Sequence, residues 1–337
     1  MNVYEHGGDV HAFAAHCQCN PSEVVDLSSN INFMTPSIDF STVTLNSYPN
    51  YEELTQTLAD YYKVSTDEME LFNGGSSAIF SLMRFLDHPI CTIYSPAYAE
   101  YKKAATLHGK KIILINRFES INTEVAEGSL VIFVNPSTPD GHYYDLDALM
   151  KQWIAKSCTI LIDESFLEFC GGESVSRYLK TYDKLYVLKS QTKFYGCAGV
   201  RVGIVLSSRE NIRALKEKEP LWKISALDSH FLISAIKDEP FRELARQRNR
   251  EAKEYLKTLL GNSPLFDEVF ASDANFFFVR LASMRTTEFQ EKLIPHKIMV
   301  RNCSNFDFLD DRTVRIAVKS IPDLKRFEET LCSLVSH

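Results

Sequence analysis

The stretch Ser190-Gln191-Thr192-Lys193-Phe194-Tyr195-Gly196-Cys197-Ala198-Gly199-Val200-Arg201-Val202-Gly203 decides how the rest of this chain is read. A β-rich run over 184–190 ends at its first residue. A lysine follows, then small residues, then an arginine that opens another apolar run. A lysine just past a strand end lies at the edge where α/β sheets bind their ligands. There a neutral amine can attack a carbonyl carbon and bond to it covalently. Ser190, Thr192 and Arg201 offer two hydroxyls and a guanidinium fork suited to a phosphate. Taken alone, Lys193 reads more simply as a solvated loop lysine, so the surroundings must decide.

Working outward, β-rich runs stand at 91–94, 111–115, 130–135 and 159–163, with amphipathic helical stretches at 76–87, 98–108 and 146–154. Most of these strands are apolar on both faces, the pattern of a parallel sheet covered by helices. The alternation predicts an α/β fold with an open, mostly parallel sheet. After Ser207 the pattern shifts. Long charged helices are predicted over 209–218 and 238–260, and strands over 274–281, 297–301 and 313–318 form a smaller α+β unit. The expected division is an N-terminal segment, 1–35, packing on the small domain and active site; a large cofactor-binding domain, 36–220; and a small C-terminal domain, 221–337.

Composition limits the function. The chain has 337 residues, 45% hydrophobic and 24% charged, which are values of a folded globular protein. A net charge of −7 argues against nucleic-acid binding, which needs cationic surface. No apolar run reaches the roughly 18 to 20 residues of a membrane span, and no export signal is visible. Eight scattered cysteines read as thiols of a reduced compartment. The expectation is a cytoplasmic protein with no membrane or nucleic-acid partner. His6, His11, His16, Cys17 and Cys19 cluster near the start, but the histidine spacing of five does not share a helix face and no Cys-x-x-Cys occurs, so no metal is expected.

Three further segments surround Lys193 with chemistry. Asp163 ends the run Ile160-Leu-Ile-Asp163, where a buried carboxylate needs a positive partner such as a pyridinium nitrogen. Asn73-Gly-Gly-Ser-Ser-Ala78 is a turn opening a helix, with backbone N–H groups available to an anion. Ser95-Pro-Ala-Tyr-Ala-Glu-Tyr101 puts Tyr98 just past a strand end, where it stacks on a flat ring or fills core.

In this order the segments resemble the fold type I pyridoxal-phosphate enzymes, in the branch holding the histidinol-phosphate aminotransferases. The resemblance runs from His6 to Val318 and includes Asn135-Pro-Ser-Thr-Pro-Asp-Gly141 and Asp163-Glu-Ser-Phe166. It implies pyridoxal 5'-phosphate as cofactor, bound covalently by Lys193, which also shuttles protons. It implies that Asp163 pairs with the pyridine nitrogen, that Tyr98 stacks on the ring, and that Gly75, Ser76, Ser190, Thr192 and Arg201 hold the phosphate. Tyr48 matches a tyrosine that reaches the neighbouring subunit's cofactor, which implies a homodimer. Thr138 replaces the asparagine that usually bonds the cofactor's phenolic oxygen; Asn135 is a poorer substitute, and Asp140 adds a negative charge near the site.

The two ends of the chain narrow the resemblance. Glu5-His-Gly-Gly-Asp-Val10, Val25-Asp-Leu-Ser-Ser-Asn-Ile-Asn32, Val300-Arg-Asn-Cys-Ser-Asn-Phe306 and Thr313-Val-Arg-Ile-Ala-Val318 look like the threonine-phosphate decarboxylases of cobalamin biosynthesis. Phe166, at the cofactor, stands where the aminotransferases more often have tyrosine. That likeness implies that Asn30 and Arg315 bind a substrate carboxylate, and that His6, Gly7, Gly8 and Arg301 surround a substrate phosphate. The implied substrate is a small phosphorylated amino acid, threonine phosphate or serine phosphate. The alternative is an aminotransferase acting on histidinol phosphate or a related donor; a non-catalytic relative would have lost Lys193.

Overall fold

The computed structural model describes residues 7–335. Its larger sheet has seven strands in the spatial order Met69–Phe72, Gly203–Leu206, Leu185–Lys189, Thr159–Asp163, Leu130–Val134, Ile90–Ser95 and Lys111–Asn116. Neighbours are parallel except at Gly203–Leu206, which runs antiparallel to both strands beside it. Every residue of Leu130–Val134, Thr159–Asp163 and Leu185–Lys189 is buried. The period of two divides them between two cores. Leu130, Ile132 and Val134 meet Ile79 and Leu82 of the helix Gly74–Phe85, together with Tyr101 and Ala104 of Ala99–Leu107. Val131 and Phe133 meet Leu149, Met150 and Trp153 of Asp147–Ala155 on the other face. The α/β architecture expected from the alternating pattern is the one found.

The smaller sheet has five strands, in the order Val25–Leu27, Ile298–Asn302, Thr313–Ala317, Phe276–Leu281 and Phe266–Val269. Only its first pair is parallel, with Val25 opposite Ile298 and Leu27 opposite Val300. Leu256, Phe289, Leu324 and Phe327 cover it from the helices Glu239–Asn262, Thr286–Leu293 and Ile321–Val335.

The helix Ala226–Lys237 follows residue 221, yet its Leu232, Ala235 and Ile236 share a core with Leu54 and Leu58 of the helix Glu52–Tyr62. Along Glu239–Asn262, Ala245 belongs to that larger core, while Ala252 and Leu256 belong to the smaller. On this packing we propose that the two units meet along the long helix and not at residue 221. Among the described residues no helix is long and apolar enough to cross a membrane.

Candidate active site

A cavity of about 560 Å³ is lined by the carboxyl ends of the parallel strands, the smaller sheet and the chain's first segment. Its size is that of a small-molecule site. Asp163, the last residue of its strand, is buried and held by three donors. The Tyr101 hydroxyl donates to Oδ2 at 2.8 Å, and the Ser165 backbone N–H and hydroxyl donate to Oδ1 at 2.9 and 2.5 Å. Burial, reinforced by the Asp163 charge, pushes the Tyr101 phenol well above its ordinary range, so it stays a donor.

Lys193 lies in the loop after Leu185–Lys189, where its carbonyl accepts from the Asn32 backbone N–H at 2.9 Å. Its Nζ stands 4.9 Å from the centre of the Phe166 ring. Burial lowers its pKa; Asp163 opposes this, and Arg201 and Arg315 add to it. The net direction is toward the neutral, nucleophilic amine relative to an ordinary lysine.

Gly74 opens its helix with φ +80°, and a Cβ there would lie 2.3 Å from Arg201 Nη2. The positive φ favours glycine, and any larger residue would also displace the guanidinium. Gly75 and Ser76 follow in the helix's first turn, whose N–H groups have no intrahelical partner and suit an anion. The Ser190 and Thr192 hydroxyls lie 3.0 Å apart, and those of Ser76 and Tyr98 3.3 Å apart.

The other half of the cavity is built on the smaller sheet. Arg301 and Arg315 are directly opposite one another on antiparallel strands, 7% and 9% exposed. Arg315 donates to Thr138 Oγ1 at 2.7 Å and to the Ser28 carbonyl at 2.8 Å, while its buried Nε has no hydrogen-bond partner. Burial, with the Arg301 charge adding to it, pushes Arg315 down to about 10. Arg301 donates to the Asn302 carbonyl at 2.6 Å and to Asn305 Oδ1 at 2.8 Å. The Gly8 N–H donates to Ser28 Oγ at 2.9 Å, and a Cβ on Gly7 would lie 2.5 Å from the Ser28 carbonyl oxygen. Asn275 donates to the Asn30 carbonyl at 3.0 Å, and Asn30 Oδ1 is buried without a partner.

The structure thus brings Lys193, Gly75, Ser76, Tyr98, Thr138, Asp163, Phe166, Ser190, Thr192, Arg201, Gly7, Gly8, Asn30, Arg301 and Arg315 to one cavity. His6 lies outside the described residues. Tyr48 does not line this cavity; it is 74% exposed and stacks on Trp222 with ring centres 4.3 Å apart.

One expectation is corrected. Asp140 adds no open negative charge, because it is buried against Arg117 and accepts from the Tyr144 hydroxyl at 2.9 Å. Arg117 also donates to the Pro96 and Thr138 carbonyls, tying together the loops that carry Tyr98 and Thr138. Asn135 is spent on both backbone polar groups of Tyr144. Tyr101, Ser165 and Ser28 went unnoticed in the sequence. The spacing of Ser165 from Asp163 and of Ser28 from Asp26 is an Asx-turn signal that was available; the Tyr101 contact, 62 positions from Asp163, had none.

The family model described as aminotransferase class I and II matches residues 23–331. The adenosylcobalamin biosynthesis bifunctional protein CobDQ of Leptospira interrogans is 29% identical over 99% of this chain, which spans 41% of that protein's length. The threonine-phosphate decarboxylase of Salmonella typhimurium is 24% identical, over 98% of this chain and 96% of its own. The crystal structure of the histidinol-phosphate aminotransferase from Clostridium acetobutylicum superposes with a TM-score of 0.82 at 27% identity, covering 91% of this chain and 98% of that one. The fold is that of the fold type I pyridoxal-phosphate transferases.

Pyridoxal 5'-phosphate, the cofactor of that family, fits the residues present. Gly75, Ser76, Ser190, Thr192 and Arg201 would hold its phosphate, in a cradle where a Cβ on Gly74 would crowd the Arg201 guanidinium. The buried Asp163 carboxylate would meet its ring nitrogen, and the Lys193 amine its carbonyl. A match over nearly the whole chain and a cavity equipped for this cofactor agree, and the chain belongs to the aminotransferase class I and II family.

Proposed function

We propose that this protein is a pyridoxal-phosphate-dependent decarboxylase of an O-phosphorylated amino acid, L-threonine O-3-phosphate or L-serine O-phosphate. The product is the amino alcohol phosphate for the cobamide nucleotide loop. The observation that carries the reading is the cross-strand pair Arg301 and Arg315. Like charges directly opposite on a sheet destabilise it, and these two are also buried. An anionic ligand relieves both costs, and a substrate with a carboxylate and a phosphate supplies two anionic groups.

When bound, the cofactor supplies an electron sink for cleavage of a bond at the substrate's α-carbon. The protein's residues select the bond. Arg301 with the Gly7–Gly8 backbone would anchor the phosphate, and Arg315 with Asn30 would fix the orientation of the carboxylate, so that the bond to it is the one that breaks. Lys193 holds at Nζ the proton that returns to the α-carbon after CO₂ leaves. The relative named for adenosylcobalamin biosynthesis supports the pathway assignment.

We further propose a cytoplasmic homodimer. Leu45, Tyr48, Leu221 and Trp222 are 71%, 74%, 75% and 52% exposed. A second copy would cover such apolar groups and bring Tyr48 to the neighbouring site.

A histidinol-phosphate-type aminotransferase is the second reading, favoured by the structural match at 27% identity. The deciding experiment incubates cofactor-loaded protein with threonine phosphate and serine phosphate separately, following CO₂ and amine phosphate by mass spectrometry. CO₂ release is expected, and the ratio of the two efficiencies gives the preference for the methyl group. Keto acid formed only when an amino acceptor is present, without CO₂, would overturn the decarboxylase.

A further inference from the structure

The wall of the cavity carries an ion pair between the two units. Lys102 projects from the helix Ala99–Leu107, one turn after Tyr98, and its Nζ meets Asp307 Oδ1. Asp307 lies in the loop between Ile298–Asn302 and Thr313–Ala317, next to Phe306, whose ring lies 5.1 Å from the Arg301 guanidinium carbon. Lys102 and Asp307 both line the cavity, so the pair joins the two units across it.

The charges on its wall show what the pair can do. Lys193, Arg201 and Asp163 belong to the cofactor half. In the substrate half the described lining residues carry three cations, Lys102, Arg301 and Arg315, and one anion, Asp307. A carboxylate there repels an anionic substrate unless a cation neutralises it. The two side chains are 44% and 24% exposed, and ion pairs that wet contribute little to stability. Exchanging Asp307 for a phosphate dianion therefore costs Lys102 little and offers it a doubly charged partner.

We propose that Lys102 is a further phosphate-binding residue of this site, held by Asp307 until the phosphate of the substrate displaces that carboxylate. This rests on the reading of the substrate as a phosphate monoester. It assigns Asp307 an opposing role: it competes with phosphate for Lys102 and weakens the binding of every phosphorylated ligand.

The two halves of the pair then predict effects of opposite sign. Titration of cofactor-loaded protein with O-phospho-L-threonine and with L-threonine, read by the cofactor's absorbance, measures both affinities. Lys102→Met is expected to raise the Kd for phosphothreonine about tenfold, near 1.4 kcal/mol, and to leave that for threonine unchanged, whereas Lys102→Arg restores most of the loss. Asp307→Asn is expected to lower the Kd for phosphothreonine about threefold, a gain that misfolding cannot produce. If both variants weaken binding, the pair is a structural latch and the proposal falls. If Lys102→Met keeps the wild-type preference for the phosphorylated ligand, the proposal falls while the phosphate reading stands. If wild-type protein itself shows no such preference, both fall.

Discussion

The two halves of the cavity are built by different means. The cofactor half comes from short motifs at the ends of adjacent parallel strands, where Asp163, Ser190, Thr192 and Lys193 follow directly from buried apolar runs. The substrate half is assembled from the two ends of the chain: Gly7, Gly8 and Asn30 meet Arg301 and Arg315 because Val25–Leu27 pairs with Ile298–Asn302. In the first, side chains hold side chains, as Tyr101 and Ser165 hold Asp163. In the second, much of the hold is on backbone: Arg315 grips the Ser28 carbonyl, and Asn275 that of Asn30. On the proposed roles, cofactor binding and substrate recognition therefore rest on separable pieces of the fold.

That separation can be tested by substitution, and the largest effect is expected at Lys193. Lys193→Ala should abolish the absorbance of the covalently bound cofactor and cut turnover by roughly a thousandfold or more; residual activity near wild type would break the assignment. The same residue sets a pH dependence. Attachment of the cofactor needs the neutral amine, so its rate should rise with pH and reach half its maximum below 10.5, the value of an ordinary lysine, because burial lowers the Lys193 pKa. A midpoint at or above 10.5 would contradict that.

In the other half, Arg315→Met should raise KM for the phosphorylated substrate by about 30-fold, the lower end for a buried charged contact, with cofactor absorbance unaltered. Parallel loss of the cofactor would show that the halves are not separable. Tyr101→Phe removes a hydrogen bond to a carboxylate, typically ~1.5 to 3 kcal/mol. It should lower kcat about tenfold with little change in KM; a change confined to KM would move Tyr101 out of the cofactor half. The smallest effect is expected from Ser28→Ala, which frees the Gly8 N–H. A neutral hydrogen bond contributes about 1 kcal/mol, so KM should rise about fivefold and kcat stay put.

The same contrast governs what the amino-acid sequence discloses. Leu130–Val134 and Thr159–Asp163 are visible because a strand buried on both faces is apolar along most of its length. Lys193 and Asp163 are visible because they interrupt or follow such runs. Val25–Leu27 is three residues long, and its partner lies at the far end of the chain, so no local pattern announces the pairing. The helix Ala226–Lys237 carries no legible period, because its five buried residues of twelve are not set against a sharp polar face. Asp140 was misjudged because its partner, Arg117, is 23 positions away and a charge in a sequence carries no sign of being neutralised. Thr138 accepts from Arg315, a contact spanning 177 positions that its replacement of asparagine does not announce.

The parallel pairing of Val25–Leu27 with Ile298–Asn302 also has a consequence for synthesis. The strand emerges from the ribosome about 270 residues before its partner exists. At about 5 to 20 residues per second that is a wait of roughly 15 to 55 seconds. The seven-stranded sheet, complete at Leu206, can form in the meantime, whereas the first strand must remain unpaired with its apolar Val25 and Leu27 in water. Contacts this distant in sequence carry a high loop-closure cost and form late. The strand Val25–Leu27 is therefore placed long after it is made, and a nascent chain completes the segments that carry Asp163 and Lys193 well before the strands that carry Arg301 and Arg315.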